Sequence, residues 1–235
     1  MYKNYIFDLY GTLIDIRTDE SSNLFWKKIV HLFMRYGAFY KPSRLKDRYN
    51  YYCNKFSKNV DEIDIIEVFN CLFLDKGISL SLVKLNEVAF MFRRHSRKYL
   101  KVYDGVLDLL NTLKENNKKV YLLSNAQESF TSYELSALNL DKYFDGIVLS
   151  SAIKYKKPNS MIFDYLFNKY NLSKQESIMI GNDKTCDIKA SYDFGIDSLY
   201  IYSNISPIND KKIKSYAKYN IDVNEYYKIK ELIVK

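Results

Sequence analysis

The sequence predicts an α/β fold: a doubly wound parallel sheet with an α-helical domain inserted after the first strand. A buried strand opens the chain, helical periodicity without convincing strands runs from about residue 21 to residue 99, and helices then alternate with strands. Strands that are separated by helices imply right-handed βαβ units and a parallel sheet. A length of 235 residues accommodates one core domain and a small inserted domain.

The first half of the chain changes its pattern after the opening strand. Residues 5–9 (Tyr-Ile-Phe-Asp-Leu) form a short, mostly apolar run that is typical of a buried strand. Stretches such as 25–33 and 65–73 then place apolar residues three and four positions apart, as in amphipathic helices. We therefore expect a core domain made of residues 1–18 and 100–235, and a helical cap made of residues 19–99.

The second half of the chain alternates between the two patterns. Each apolar strand-like run is followed by turn residues and then by a helical repeat, which is the arrangement of a parallel sheet. The predicted elements are helix 106–115, strand 119–123, a helix before strand 146–149, helix 161–170, strand 177–180, a helix from residue 187, and strand 198–202. The tail beyond residue 205 is rich in Lys, Asn and Tyr and carries no motif.

The composition is that of an ordinary soluble globular protein, with 47% hydrophobic and 27% charged residues. The formal net charge of +8 is compatible with nucleic-acid binding or with the steering of small anions toward a pocket. Because the lysines are spread along the chain and no nucleic-acid-binding signature is present, we favour a small anionic substrate and expect no nucleic-acid partner. The sequence does not indicate an oligomeric state.

The sequence disfavours zinc and histidine-rich metal sites, a disulfide framework and a membrane-spanning segment. The three cysteines, Cys53, Cys71 and Cys186, are widely spaced and form no CxxC pair, so we predict neither a zinc site nor a disulfide framework. Two histidines, His31 and His95, are too few for a histidine-rich metal site. No apolar run is long enough to span a bilayer, and an aspartate interrupts the first apolar segment, so we expect a cytoplasmic protein without a membrane partner.

Polar residues cluster at the ends of four predicted strands or in the loops that follow them. In open α/β sheets ligands bind at the carboxyl ends of the strands, so these clusters are candidates for one common site. They are Asp8-Leu9-Tyr10-Gly11-Thr12-Leu13, then Ser124-Asn125, then Lys157-Pro158, and finally Gly181-Asn182-Asp183-Lys184-Thr185-Cys186-Asp187.

In this order the four clusters resemble the sequence motifs of the haloacid dehalogenase superfamily. The resemblance runs from Asp8 to about Gly195, and the helical insert matches the position of the family's cap, between the first strand and the second motif. Each motif alone is commonplace, whereas four motifs in register with a cap in the expected place are specific. The resemblance implies a hydrolase with a Rossmann-like core that forms a covalent intermediate on an aspartate.

The resemblance also implies a role for each catalytic candidate. Asp8 is a carboxylate at a strand end and is suited to nucleophilic attack on phosphorus or carbon. Thr12, Ser124 and Asn125 would bind the oxygens of the transferring group, although each is also a common turn or cap residue. Lys157 would place a fixed positive charge near Asp8 and the anionic intermediate; the alternative for it is a solvated surface lysine.

A magnesium site is the implied cofactor site. Asp183 and Asp187 lie four residues apart and would face the same side if the loop is already turning helical. With Asp8 they would form an oxygen site for Mg²⁺, which takes few carboxylates and keeps several waters. The family adds the main-chain carbonyl of Tyr10 as a ligand, with Asp183 binding directly and Asp187 in support. One of this pair could instead cap the following helix.

Tyr10 departs from the pattern of the superfamily's phosphatases. Most of them carry an aspartate there, two positions after the nucleophile, which protonates the leaving group and then activates water. General acid–base catalysis of this kind contributes roughly 10²- to 10⁴-fold. A tyrosine hydroxyl, with an ordinary pKa near 10, can donate a proton but is a poor base at neutral pH.

We therefore favour a Mg²⁺-dependent phosphatase acting on a small phosphorylated metabolite and keep two alternative functions. The superfamily's 2-haloacid dehalogenases share the Asp-x-Tyr-Gly-Thr opening, work without metal, and hold the substrate carboxylate with a cap arginine, for which Arg17, Arg44 and Arg48 are candidates. They also lack an acidic residue at the place of Asp183, which is why we favour the phosphatase. The other alternative is a catalytically degenerate member that only binds its ligand.

Overall fold

The computed structural model describes residues 2–58, 61–209, 215–223 and 225–234. Its strands are, in chain order, β1 (Asn4–Phe7), β2 (Ile14–Thr18), β3 (Arg97–Val102), β4 (Lys119–Ser124), β5 (Gly146–Leu149), β6 (Ser177–Gly181), β7 (Asp197–Tyr202) and β8 (Tyr219–Asp222). Within these ranges, six strands form one parallel sheet in the order β5-β4-β1-β6-β7-β8. This order, with β1 in the middle, confirms the predicted doubly wound α/β fold.

The helices fall on both sides of the sheet and in the block between β2 and β3. They are α1 (Asn23–Met34), α2 (Pro42–Phe56), α3 (Ile65–Leu74), α4 (Leu82–Ser96), α5 (Val106–Glu115), α6 (Glu128–Ala137), α7 (Ser150–Ile153), α8 (Ser160–Tyr170), α9 (Ala190–Phe194) and α10 (Tyr226–Ile229). A π-helical segment, Lys184–Lys189, precedes α9, so this helical stretch begins three residues before the predicted position. No helix in the described ranges is long and apolar enough to cross a membrane.

The sheet is buried on both faces, which explains why its strands read as continuous apolar runs. Alternate residues of β1 point to opposite sides: Tyr5 and Phe7 pack with α5 and α10, whereas Ile6 packs with α8 and α9. Because side chains alternate along a strand, the polar residues that follow each strand emerge together at its carboxyl end. The sheet thereby brings the four polar clusters to one edge.

Helices α1–α4 form a block with a hydrophobic core of their own, centred on residues such as Phe33, Phe69 and Phe92. Ser22, Asp64 and Ser81 cap the first turns of α1, α3 and α4 through their side-chain oxygens. This block occupies the place that the sequence predicts for the cap. The exact boundaries at residues 18 and 100 stay a prediction.

The structure adds elements that the sequence pattern did not indicate. Strands β2 and β3 pair antiparallel in a two-stranded ribbon that connects the helical block to the core, and β3 begins at Arg97, inside the range predicted as cap. Three of its six residues are exposed and none is fully buried, so no clear apolar alternation marks it. The tail beyond residue 205 contributes β8 at the sheet edge and α10, whose Tyr226 and Ile229 are buried against the core.

Candidate active site

A cavity of about 200 Å³ lies at the carboxyl ends of β1, β4 and β6. Residues from all four predicted motifs line it, together with two residues of the segment after β7: Asp8, Tyr10, Ser124, Asn125, Lys157, Asn182, Asp183, Cys186, Asp187, Ile205 and Pro207. Of the predicted site residues, Thr12 alone does not line this cavity. The carboxylates in the lining outnumber its one lysine.

Lys157 lies at the centre of the site with only 1% of its side chain exposed. Its ammonium group donates to Asp8 Oδ1 at 2.8 Å, to Asp187 Oδ1 at 2.6 Å and to the carbonyl of Leu123 at 2.7 Å. Burial acts to lower the pKa of Lys157, but the two carboxylates outweigh it and raise that pKa, so the lysine stays charged. A solvated surface lysine is therefore the wrong interpretation of this residue.

The hydrogen bonds to Asp8 distinguish its two oxygens. Oδ1 accepts from Lys157 and also from the hydroxyl of Ser124, at 3.0 Å, whereas Oδ2 takes neither of these bonds. Ser124 is buried and donates its only hydroxyl proton to the Asp8 carboxylate. The arrangement orients the carboxylate and leaves Oδ2 without these two bonds.

Asn125 and Thr12 are held in contacts that differ from the predicted binding of substrate oxygens. The amide of Asn125 forms two bonds with the backbone of Lys157, donating to its carbonyl and accepting from its N–H, both at 2.8 Å. The Thr12 hydroxyl is fully buried and donates to Asn182 Oδ1 at 3.3 Å. Both residues thus position other members of the site.

The two aspartates of the last motif differ in burial and in their hydrogen-bond partners. Asp187 is 1% exposed; burial raises its pKa, and the neighbouring Lys157 opposes that rise. Its second oxygen accepts from the backbone N–H of Asp183 at 3.0 Å. Asp183, which is more exposed, caps the following helical segment by accepting from the N–H groups of Thr185 and Cys186. Capping was the alternative to metal binding for one of the pair, and Asp183 makes that contact.

Glycines make this close approach possible. A Cβ on Gly181 would lie 2.3 Å from Asp187 Oδ2, and a Cβ on Gly11 would lie 2.1 Å from Asn182 Nδ2. Gly11 also has a φ of +85°, a conformation that residues with a Cβ seldom adopt. Gly11 thus lets the first motif pack against Asn182 of the last motif, and Gly181 leaves room for Asp187 within the last motif.

The donor atoms of this site are of the kind that suits a hard divalent cation. The described residues contain no group of three or more His, Cys, Asp or Glu side chains placed to hold a metal ion. Mg²⁺, however, is bound through one or two carboxylates and retains water or substrate oxygens for its other positions. Asp8 and Asp183 line one cavity in which negative charge exceeds positive charge, so the residues present fit such an ion.

Tyr10 does not offer its hydroxyl as a base. The hydroxyl donates to Glu134 Oε2 at 2.5 Å and shares a 3.0 Å bond with Thr131 Oγ1. Burial and then the Glu134 carboxylate raise the pKa of Tyr10 still further above its ordinary value. The group in the place of the usual second aspartate is therefore neutral and already bonded.

Some residues around the site carried no recognisable signal in the sequence. Asn182 stands inside the fourth motif but was not assigned a role, and Ile205 lies in a tail without motifs. Glu134 and Arg93 sit on ordinary-looking helices, and only the fold brings them beside Tyr10. A buried glutamate is rare enough to be informative, but burial at this position is not visible in the sequence.

The three arginines suggested for a substrate carboxylate are elsewhere. Arg17 is exposed on β2, and Arg44 is exposed on α2. Arg48 pairs with Asp75 within the helical block. No arginine is among the residues that line the catalytic cavity in the described part of the chain.

Sequence comparison places the chain among known hydrolases. The profile of the family described as haloacid dehalogenase-like hydrolase matches residues 5–201. Pyrophosphatase PpaX of Halalkalibacterium halodurans is 24% identical over 200 residues, covering 83% of this chain and 81% of its own. Pyrimidine 5'-nucleotidase PynA of Streptococcus pneumoniae is 24% identical over 208 residues, covering 85% and 83%.

A solved structure supports the same fold. The HAD phosphatase from Thermococcus onnurineus superposes with a TM-score of 0.64 at 18% identity, over 99% of this chain and 98% of its own. The family match covers most of the chain, and the relatives named above are hydrolases of phosphate compounds. The chain belongs to the haloacid dehalogenase-like hydrolases, as its four motifs predicted, and among hydrolases a phosphoric monoester hydrolase is favoured.

Proposed function

We propose that this hydrolase is a Mg²⁺-dependent phosphatase that acts on a small phosphorylated metabolite through an aspartyl-phosphate on Asp8. Attack by Asp8 Oδ2 on phosphorus would break the bond to the leaving oxygen, which would take a proton from water and depart as the alcohol. Water would then hydrolyse the aspartyl-phosphate, releasing inorganic phosphate and regenerating the carboxylate. The cavity of about 200 Å³ suits a phosphoryl group on a small leaving group. The helical block, predicted as residues 19–99, would act as the cap over this site.

The buried Lys157 is the observation that carries the proposal. Its ammonium group lies 2.8 Å from the nucleophile and is held by Asp187 and by the carbonyl of Leu123, so it cannot turn away into solvent. A fixed positive charge beside Asp8 stabilises the negative charge that gathers on the transferring oxygens. Ser124 and Asn125 support this charge by orienting Asp8 and the backbone of Lys157.

Magnesium would be held by Asp8, Asp183 and the main-chain carbonyl of Tyr10, with Asp187 in support through Lys157. A bound Mg²⁺ supplies positive charge to phosphoryl oxygens. Without such an ion, a phosphate dianion would meet three carboxylates, Asp8, Asp183 and Asp187, and one lysine. The charge of the lining therefore supports a cation as cofactor.

Dehalogenation is the second candidate, and Tyr10 is the observation that favours it. Halide needs no proton to leave, so a site without an acidic residue at this position loses little in that reaction. Against it, the residues lining the cavity supply one lysine, already bonded to two carboxylates, and no arginine for the substrate carboxylate. A Mg²⁺-dependent phosphatase gives the carboxylate of Asp183 in the cavity a role as a metal ligand, whereas a metal-independent dehalogenase does not.

The test is phosphate release from a panel of small phosphoesters, with Mg²⁺ and with chelator. We expect release by the wild type that requires Mg²⁺ and is lost in Asp8→Asn. Asp104→Asn, a change of the same kind at an exposed turn, is the control and should turn over normally. Full turnover in Asp8→Asn would overturn the covalent mechanism, and halide release from 2-haloacids without metal would establish the dehalogenase. Mg²⁺-induced thermal stabilisation without any turnover would indicate a binding role.

A further inference from the structure

One carboxylate, that of Glu134, joins the nucleophile loop to the helical block. We propose that Glu134 is a positioning residue of the hydrolytic site, which holds Tyr10 and the cap residue Arg93 in one fixed arrangement over the nucleophile. The proposal rests on the proposed function and adds a residue to it. Glu134 lies on α6, ten residues after Ser124, and 1% of it is exposed.

The contacts of Glu134 come from both sides of the junction. Its Oε2 accepts from the hydroxyl of Tyr10 at 2.5 Å, two residues after the nucleophile. Its Oε1 accepts from Arg93 Nε at 2.8 Å, and Arg93 belongs to α4 of the helical block. Arg97, at the start of the connecting ribbon, approaches Oε1 at 3.5 Å.

The Arg93 side chain also packs directly against Tyr10. Its guanidinium carbon lies 5.5 Å from the centre of the Tyr10 ring and 5.4 Å from that of Phe130, distances typical of cation–π contacts. Thr131, one turn before Glu134, shares a 3.0 Å bond with the Tyr10 hydroxyl. The ring of Tyr10 is thus held by a hydroxyl, a carboxylate and a guanidinium that belong to two different parts of the fold.

The ion pair between Glu134 and Arg93 is largely buried, so the loss of either partner is costly. Only 2% of the Glu134 side chain and 15% of the Arg93 side chain are exposed. A buried carboxylate without its cation is strongly destabilising, and withdrawal of α4 would remove Arg93, the nearer of the two cations of Glu134, leaving Arg97 at 3.5 Å. Glu134 therefore links the position of the cap to that of Tyr10, because the same carboxylate bonds to both.

The chain offers a chemically matched control inside the helical block. Asp75 accepts from Arg48 Nε at 2.7 Å and from the hydroxyl of Tyr52 at 2.7 Å, and the Arg48 guanidinium lies 4.8 Å from the Tyr52 ring. A carboxylate, a tyrosine and an arginine make the same kinds of contact there, without crossing to the core, although the carboxylate is an aspartate and is more exposed. Asp75→Asn consequently removes a comparable set of bonds without touching the site.

The experiment compares Glu134→Gln with Asp75→Asn by steady-state hydrolysis of para-nitrophenyl phosphate with Mg²⁺. We expect kcat of Glu134→Gln to fall by about ten- to a hundredfold, as for small misplacements in an active site, with a KM change of less than about threefold. Asp75→Asn should lower the melting temperature and leave kcat and KM at wild-type values. A kcat in Glu134→Gln equal to that of Asp75→Asn would overturn the proposal.

A double-mutant cycle tests the coupling even if Glu134→Gln folds poorly. Tyr10→Phe and Arg93→Met should be non-additive in kcat, because each removes one partner of the same carboxylate. Additive effects of the two changes would show that Glu134 does not link them.

Hydrogen exchange gives a readout that needs no substrate. In Glu134→Gln the amides of residues 8–14 and those of α4 should lose protection together, and Asp75→Asn should affect only the helical block. Unchanged exchange in either segment would contradict the link. If the wild type releases no phosphate, the proposed function fails, and exchange alone then decides whether Glu134 joins the cap to the nucleophile loop.

Discussion

A lysine that is almost completely buried is unusual, and Lys157 is tolerated because every face of its ammonium group is bonded. Its partners are two carboxylates and a carbonyl, which match its three protons. In the proposed mechanism the same partners hold its charge 2.8 Å from Asp8. At the scale of the residue, the stability of the buried lysine and the proposed chemistry depend on one set of contacts.

Gly181→Ala should damage this set of contacts without removing any charged group. A Cβ at this position would lie 2.3 Å from Asp187 Oδ2, so the carboxylate must move off Lys157. We expect phosphatase activity to fall at least about tenfold, as misplacement of a catalytic group does, and the free energy of unfolding to fall by about 1–3 kcal/mol. Steady-state kinetics and urea denaturation measure the two effects.

Gly146→Ala is the control for steric strain. Its Cβ would meet the end of the Tyr170 ring at 2.2 Å, on the outer strand β5 and away from the catalytic cavity. This variant should lose stability and keep the kcat of the wild type. Equal kcat in the two glycine variants would show that Asp187 does not position Lys157.

At the scale of the element, Asp145 fastens α5 to the sheet beside β4. Burial raises its pKa, but bonds from Lys114, from the N–H of Val120 and from Lys119 outweigh burial and hold the pKa below its ordinary value. A carboxyl group with a lowered folded-state pKa contributes stability above its unfolded pKa of about 3.9 and loses it as pH falls through the folded value.

Asp145→Asn should therefore reduce stability in a pH-dependent way. Near pH 7 we expect a loss of about 1–2 kcal/mol, in line with hydrogen bonds to a charged group. The difference from wild type should shrink as pH falls below the unfolded pKa and vanish once the folded wild-type carboxyl is protonated as well. Urea denaturation across this range measures it. Asp193→Asn, which breaks an exposed pair with Lys189, should show almost no such profile.

The elements that the sequence predicted are those with a strong apolar period. Strand β6 and helix α8 are buried along a whole face, so their patterns are regular and their predicted bounds lie within one residue of the observed ones. Strand β3 has no fully buried residue and β8 lies at the sheet edge, so neither carries that period. These segments form strands because they pair with β2 and β7, and their own residues do not show a strand pattern.

At the scale of the whole molecule, the helical block is fastened to the core at more than one place. Besides Glu134, the side chain of Gln127 accepts from the N–H of Ile65 at 2.8 Å and donates to the carbonyl of Ile63 at 2.9 Å. Gln127 follows the second motif by two residues, so the start of α3 is hydrogen-bonded to the loop that carries this motif.

Gln127→Ala should loosen this attachment. The N–H of Ile65 would lose its partner, and we expect its amide to exchange about tenfold faster, with a loss of about 1–2 kcal/mol in unfolding free energy. Residue-resolved hydrogen exchange by NMR measures the first effect. Gln175→Ala, at an exposed position, should change neither quantity. Wild-type exchange at Ile65 in Gln127→Ala would show that the block is held by other contacts.

The sequence by itself determined the fold class, the place of the helical insert and the four motifs that make up the site. Each depends on residues near one another in the chain, through apolar period or motif spacing. Only the tertiary structure decided that Thr12 and Asn125 hold other site residues, that Asp183 caps a helix, and that Glu134 bonds to Tyr10. These roles depend on which hydrogen-bond partner is nearest, and partners from distant segments are brought together only when the sheet and the helical block have packed.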